Sequence, residues 1–490
     1  MLKLAKRSAQ FVAFIMAVVL ATPAANAQSA NSTQAVSILS EAERIHGLAL
    51  LWREVSYNFP FFDQVPELDW DETFTEFLNP AREAESTLEY YRVLQRFVGL
   101  LEDGHTNVYF PDSLLARRPF DDPWVRLEAV RRRPIVANVD AALADRLPLG
   151  SEIVSVDSIP AERYLSENVL PYMAASTDAI RRERAIRGIR AWGIGLLVGP
   201  ANSSVQVGFL TPSGEEREIE LTRDRYTRAA DWVKAPTGPR PLLEFRWLEK
   251  GMAYVALNSF SKSEIVQRFE AVKQDLMTAD GIVLDLRRNG GGSDFNATAI
   301  LSHFTDEALV GSGSRIRVND ALYRAYGSYG ETTLRGAFPS DSGGLVDRSL
   351  EHHRGVAWRI IPPDTIQPDS GPKITAPVVV LIGPRVASSA ENFLVFMPDT
   401  PQFTTVGLPT VGSTGQPARM DLPGGGWARV VSRAAILPDG STWVGEGIIP
   451  DVSVEPTVAD VVGGRDVVLE RGIQVLREDI HEHDQRSRAP

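Results

Sequence analysis

The chain has 490 residues, 51 basic and 63 acidic side chains, a formal charge of -12 and no cysteine. That composition excludes a disulfide framework, a thiolate nucleophile, an iron–sulfur cluster and cysteine-ligated zinc. The acidic balance, with no long basic run, argues against nucleic acid or an anionic membrane as the main partner, and a single core stops growing at roughly 250–300 residues, so two or three domains are expected.

Lys3, Lys6 and Arg7 precede an apolar run over residues 11–20, and Ala25-Asn26-Ala27 supplies the small residues that a signal peptidase accepts. This predicts a signal peptide over residues 1–27 and a mature chain from Gln28. The apolar run is shorter than the ~20 residues a helical span needs, so no stable membrane anchor is expected. The expectation is an exported protein, periplasmic or secreted, with a charge of about -15 once those three cations are gone.

Residues 28–115 read as an N-terminal helical domain. Ser86-Thr87-Leu88-Glu89 has the capping-box pattern, and Leu94, Phe97 and Leu101 then recur at helical spacing up to Asp103-Gly104. Pro60 interrupts the aromatic segment 57–62, which is predicted as a loop. Residues 116–230 are β-rich, with strands over 135–139, 153–156, 205–209 and 219–221 and a turn at Thr211-Pro212-Ser213-Gly214. Within them, the arginine-rich stretch 178–191 reads as a helix with a solvated charged face, and Arg131-Arg132-Arg133 as a surface strand end. Residues 240–475 alternate strands (253–257, 282–286, 377–382) with helices (264–277 and one from Ala387), the pattern of a sheet buried on both faces. Residues 476–490 read as a polar tail that frays.

Three segments could carry chemistry. A strand running through Gly383-Pro384 to Ser388-Ser389 puts a hydroxyl at a helix start, where N–H groups stabilise negative charge; either serine could equally be a cap. Asn289-Gly290-Gly291-Gly292 follows a buried strand, and glycines let main-chain N–H groups approach a ligand closely. A phosphate loop is disfavoured there because the Lys-Ser/Thr ending is missing. Gly424-Gly425-Gly426 is predicted to precede a hairpin and to be structural. Of seven histidines, none has metal-ligand spacing with a third partner, so no metal is expected; His105, at a turn between a helix and a strand, suits a general base.

These segments together resemble the serine peptidase family of C-terminal-processing proteases and the tricorn core. Leu284-Asp285-Leu286-Arg287-Arg288-Asn289-Gly290-Gly291-Gly292 is similar to the family's LDLRxNxGG segment, and Val386-Ala387-Ser388-Ser389-Ala390-Glu391 to its nucleophile segment, whose serine stands three before a glutamate. Gly445-Glu446-Gly447-Ile448-Ile449-Pro450-Asp451 is similar to GxGxxPD. The stretch around Leu149-Gly150-Ser151-Glu152-Ile153 is similar to a PDZ-like module. The implied fold is a multidomain α/β and α+β one: a helical N-terminal domain, a PDZ-like β module and a crotonase-like α/β spiral catalytic domain.

The resemblance implies an exported serine endopeptidase with Ser388 as nucleophile. In the processing branch a lysine follows the serine by 25 residues, but Ser413 stands there, so a Ser-Lys dyad is excluded and the tricorn-like branch is indicated. His105, in its Asp103-Gly104-His105-Thr106 setting, then matches the histidine base. The N–H groups of Gly290 or Gly291 and of Ser389 would bind the oxyanion, and Glu446 would orient His105. Polypeptides, unfolded or extended, are the implied partners, without metal or cofactor, and a homo-oligomer is left open. The residues immediately before Pro134, from 116 to 133, contain no glycine, and residues 161–205 interrupt the module's strands, so selection by a free C-terminus is not implied. The rival reading, motivated by the missing lysine, is a catalytically inactive relative that binds peptides or small apolar ligands in the same cleft.

Overall fold

Helices open the fold because polar caps and apolar stripes coincide. In the computed structural model, which describes residues 38–488 apart from 236–239, 250, 342, 398–399 and 401, α1 (Glu41–Asn58) starts on a reciprocal capping box between Ser40 and Glu43. The signal segment 1–27 lies outside the described residues. Asp69 caps α2 (Trp70–Glu83), and Ser86 caps α3 (Thr87–Gly99) by accepting the Glu89 N–H, so the helix predicted there forms and stops a turn before Asp103. Leu48 and Leu51 of α1, Phe77 of α2 and Leu94 of α3 share one core, in which Trp70 stacks on Phe97 at 4.2 Å. The chain then forms β1 (Asn107–Tyr109).

An antiparallel sheet follows, β2 (Val125–Val130), β3 (Arg133–Val139), β4 (Glu152–Val156), β5 (Ser204–Leu210) and β6 (Glu216–Thr222), paired in chain order. Between β4 and β5 lies α4 (Asp178–Arg187), capped by Thr177. Ala185 and Ile186 of α4 pack on Leu127, Val136, Ile153 and Phe209 of the sheet.

The main sheet takes β7 (Leu243–Glu249), β8 (Met252–Leu257), β9 (Gly281–Asp285), β10 (Val378–Ile382), β11 (Phe403–Gly407) and β14 (Val452–Ser453), side by side in that order. β7 is antiparallel to β8, and the remaining pairs are parallel. Alternate residues point to opposite faces. Val255, Leu284, Val378 and Val380 meet α5 (Glu264–Met277), α6 (Asp294–Leu301) and α7 (Ser389–Val395), whereas Tyr254, Val283, Val379 and Leu381 meet α8 (Val467–Arg488). The predicted burial on both faces is therefore realised. The tail expected to fray does not: α8 continues through it to Arg488, because Leu476 and Ile480 cover the sheet, with Ile480 seated on Gly281.

A hairpin of β12 (Pro417–Asp421) and β13 (Trp427–Val431) joins the two halves. Gly424 and Gly425, at φ 91° and 90°, lie inside its turn rather than before it. β1 pairs antiparallel with β13, Asn107 opposite Arg429, and Tyr91 shares a core with Ala428 and Val430. The helical segment is thus tied to the same sheet edge that borders the site. Leu284 is fully buried in the sheet. Leu284→Ala is expected to lower unfolding stability by about 2–5 kcal/mol, read from the denaturant midpoint.

Candidate active site

The site sits beyond the C-terminal ends of β9 and β10, where an α/β sheet leaves a crevice. After β10 the chain turns at Gly383-Pro384 and enters α7 through Ser388, at φ 57° and ψ -126°. A non-glycine residue there costs on the order of 1–3 kcal/mol, so the surroundings must hold it. The Ser388 N–H donates to the Ser413 carbonyl and to Glu391 Oε2, each at 3.0 Å. The neighbouring Ser389 is buried and its hydroxyl donates to the Gly292 carbonyl at 3.0 Å. Of the two serines, Ser388 faces the cavity described below.

The glycine loop after β9 lies against this segment. A Cβ on Gly291, whose φ is 94°, would come within 2.7–2.9 Å of Ala387 O, Ser388 Cβ and Ser389 N. Asn289 shapes the loop by accepting the Gly291 N–H at its Oδ1, 2.9 Å away. That bond corrects one expectation: the Gly291 N–H is already engaged and is not an open oxyanion donor. Gly290 is exposed and lines the cavity, and Ser389 supplies the first N–H of α7, which has no carbonyl one turn back within its own helix.

His105 lies in the loop between α3 and β1, nearly buried, with its N–H on Asp103 Oδ2 at 3.1 Å. Its Nδ1 is 2.5 Å from Ser413 Oγ. Ser413, which carries the Ser388 N–H on its carbonyl, therefore links the two residues. Burial, and then the positive charges of Arg429 and Arg184, push the His105 ring down to about 3. The acid expected beside it is not there. Glu446 is exposed and outside the cavity, because Gly445 and Gly447, both at positive φ, turn the segment so that only its backbone reaches the site, through Gly445 N–H on Gly412 O at 2.9 Å.

Glu391, read in the sequence only as a spacing marker, is a hub. Fully buried, it accepts from Ser388 N, Ser413 N at 3.1 Å, Gly412 N at 2.6 Å and Thr410 Oγ1 at 2.5 Å. Burial raises its pKa to about 7 against the pull of these donors.

His105, Ser388, Ser413 and Gly290 line one cavity of about 490 Å³ together with Arg184, Arg187, Arg385 and Arg429. The arginines of α4 are therefore not all on a solvated face. Arg181 and Arg182 pair with Glu102 and Glu162 as surface groups do, but Arg184 and Arg187 turn to the cavity. The sequence carried a signal for this: Ile180, Arg184 and Arg187 share one helical stripe, and Ile180 is buried. Among the described residues no cluster of three or more His, Asp or Glu side chains could hold a metal ion.

Residues 251–454 match the family model for Peptidase family S41. Mature CPAF complexed with lactacystin superposes at a TM-score of 0.67 and 15% identity, over 90% of this chain and 99% of that chain. Mature CPAF without it gives the same TM-score and identity, over 90% of this chain and 98% of that chain. The photosystem II D1 C-terminal processing protease is similar at a TM-score of 0.43 and 18% identity, over 85% of this chain and 95% of that chain. No curated protein sequence matches the chain.

Two outcomes follow from the geometry. Gly291→Ala, which drives a methyl into backbone at a positive φ, is expected to lower unfolding stability by about 1–3 kcal/mol, whereas Gly290→Ala, with open space at its Cβ, leaves it within about 0.5 kcal/mol, both read from the denaturant midpoint. In an NMR titration of the ligand-free protein, the His105 ring is expected to stay neutral as pH falls through 6.5 toward 4; a midpoint near 6.5 would contradict the burial and charge described here.

Proposed function

We propose that this chain, whose residues 251–454 match the model of peptidase family S41, is a serine-type peptidase acting on polypeptides that works through an acyl-enzyme on Ser388 with His105 as general base. One observation carries the reading: a strained serine at a helix start, braced by a glycine loop, opens into the same cavity as His105. With the Nδ1–H of His105 donating to Ser413 Oγ, Nε2 keeps the lone pair that takes the Ser388 proton. Ser388 Oγ then attacks the carbonyl carbon, and the N–H groups of Gly290 and Ser389 receive the oxyanion. His105 passes its proton to the leaving amine, and water, deprotonated by the same ring, hydrolyses the ester.

In this reading Ser413, at the place of the lysine in the processing branch, is a positioning residue rather than a base, and it takes the orienting role expected of Glu446. The cavity volume suits an extended segment, so unfolded or extended chains are the substrates. The N-terminal pattern supports export to a periplasmic or extracellular space, and the antiparallel sheet β2–β6 is taken as the PDZ-like module.

The test is a fluorophosphonate probe together with hydrolysis of an unfolded polypeptide. Wild type is expected to label and cleave, Ser388→Ala to do neither, and His105→Ala to lose about 100- to 10,000-fold in rate. Ser413→Ala is expected to lose less and to move the pH profile. If wild type does not label, the inactive peptide-binding relative is the correct reading; the exposed Glu446 and the low proton affinity of His105 favour that rival.

A further inference from the structure

Two guanidinium groups beside the reacting residues lack a carboxylate. Arg184 reaches the cavity from α4, and Arg429 from β13, where the register sets it opposite Asn107, two residues beyond His105. Their neighbours are paired: Arg187 meets Glu183 at 2.9 Å and Glu128 at 3.4 Å, and Arg385 lies 3.8 Å from Glu128. Arg184 makes no ion pair or hydrogen bond with a described residue. Arg429 has one long bond, 3.4 Å to the Gly104 carbonyl, and an approach of 5.7 Å to the Tyr109 ring, while its Nε is buried with no partner. Glu183, the one acidic residue among those lining the cavity, is spent on Arg187. Burial and the repulsion of Arg429 and Arg187 together lower the Arg184 pKa, partly offset by Glu183 and Glu391.

Close like charges in a partly dry cavity are costly, and a ligand that brings the opposite charge relieves the cost. The acidic chain as a whole, at -12, makes this local excess of cations the more specific. We propose that Arg184 and Arg429 bind an acidic side chain of the polypeptide close to the bond to be cleaved, so that an aspartate or glutamate there selects the substrate. The proposal rests on the peptidase reading of the cavity and names the substrate class for it. Planar guanidinium forks suit a carboxylate in two-point contact. The same two cations disfavour a proton on His105, so a carboxylate between them also lets the ring accept the Ser388 proton more readily. Substrate recognition and activation of the base are then one event.

Binding in a Ser388→Ala background, where turnover is blocked, tests this without depending on catalysis. Fluorescent extended peptides in which one glutamate is walked through an otherwise neutral sequence are compared with their glutamine twins, each with a free and with an amidated C-terminus, by anisotropy. One glutamate position is expected to tighten binding about tenfold, and more at low salt, whether the C-terminus is free or amidated. Adding Arg184→Gln or Arg429→Gln is expected to abolish that difference while neutral peptides bind as before, and Arg184→Lys to restore part of it. An effect of the free terminus alone, with no glutamate position favoured, overturns the proposal. Equal affinity across all peptides, no binding of any, or a preference that survives both glutamine variants overturns the proposal. Failure of wild type to label with fluorophosphonate would instead overturn the catalytic reading and leave this binding result standing.

Discussion

The carboxylate of Glu391 is the point through which the Ser388 segment and the support of His105 are joined. An ionised carboxylate taken into a protein interior costs several kcal/mol unless hydrogen bonds replace its water. Four donors do so here, and each comes from a group whose position matters: Ser388 N, Thr410 Oγ1, Gly412 N and Ser413 N. The first keeps Ser388 in a conformation it would otherwise leave. The last fixes the residue whose hydroxyl meets the His105 ring. Thr410 carries the connection further, since its Oγ1 also accepts the Ile448 N–H of the glycine-turn segment. A side chain that lines no part of the cavity thus sets the geometry on both sides of it.

Several residues that look catalytic by type do comparable work around the rim. Asp285 accepts the Tyr254 hydroxyl at 2.8 Å and pairs with Arg287, which in turn pairs with Asp466 at the head of α8. Asp451 accepts both the N–H and the hydroxyl of Thr405 and so fastens β14 to β11. Asn289 closes the glycine loop on itself. Beyond the ends of β9 and β10, Gly291 packs so closely on residues 387–389 that a Cβ there would run into Ala387 O, Ser388 Cβ and Ser389 N. Among the described residues at the cavity, the polar groups left open include the Ser388 hydroxyl, the outer nitrogen of His105, the N–H groups at Gly290 and Ser389, and two guanidinium groups.

Much of the fold was legible in local pattern. β8, β9, β10 and α5 follow from apolar runs and helical spacing, and α3 from its cap, because those signals involve residues a few positions apart. The helix in place of a frayed tail was not legible: residues 476–488 look polar in sequence, and what orders them is the apolar sheet face under Leu476 and Ile480. The strand and the Gly-Pro turn pointed to a serine at the start of α7, and the resemblance to the family's nucleophile segment chose Ser388 over Ser389. The engagement of Gly291 N–H, by contrast, depends on the rotamer of Asn289.

Sequence order alone established the kind of molecule: an α/β chain without thiol chemistry, with one serine and one histidine in segments similar to those of a peptidase family, and a glycine loop between them in the chain. Tertiary contact decided the rest. Ser413 rather than Glu446 stands at the His105 ring, and Arg184 faces the cavity rather than water. These outcomes join residues 308 positions apart in one case and set α4 around the same cavity as the turn after β10 and Arg429 of β13 in the other. The reason is physical: a spacing of three or four residues fixes which face of a helix or strand a side chain occupies, but not which distant surface that face will meet.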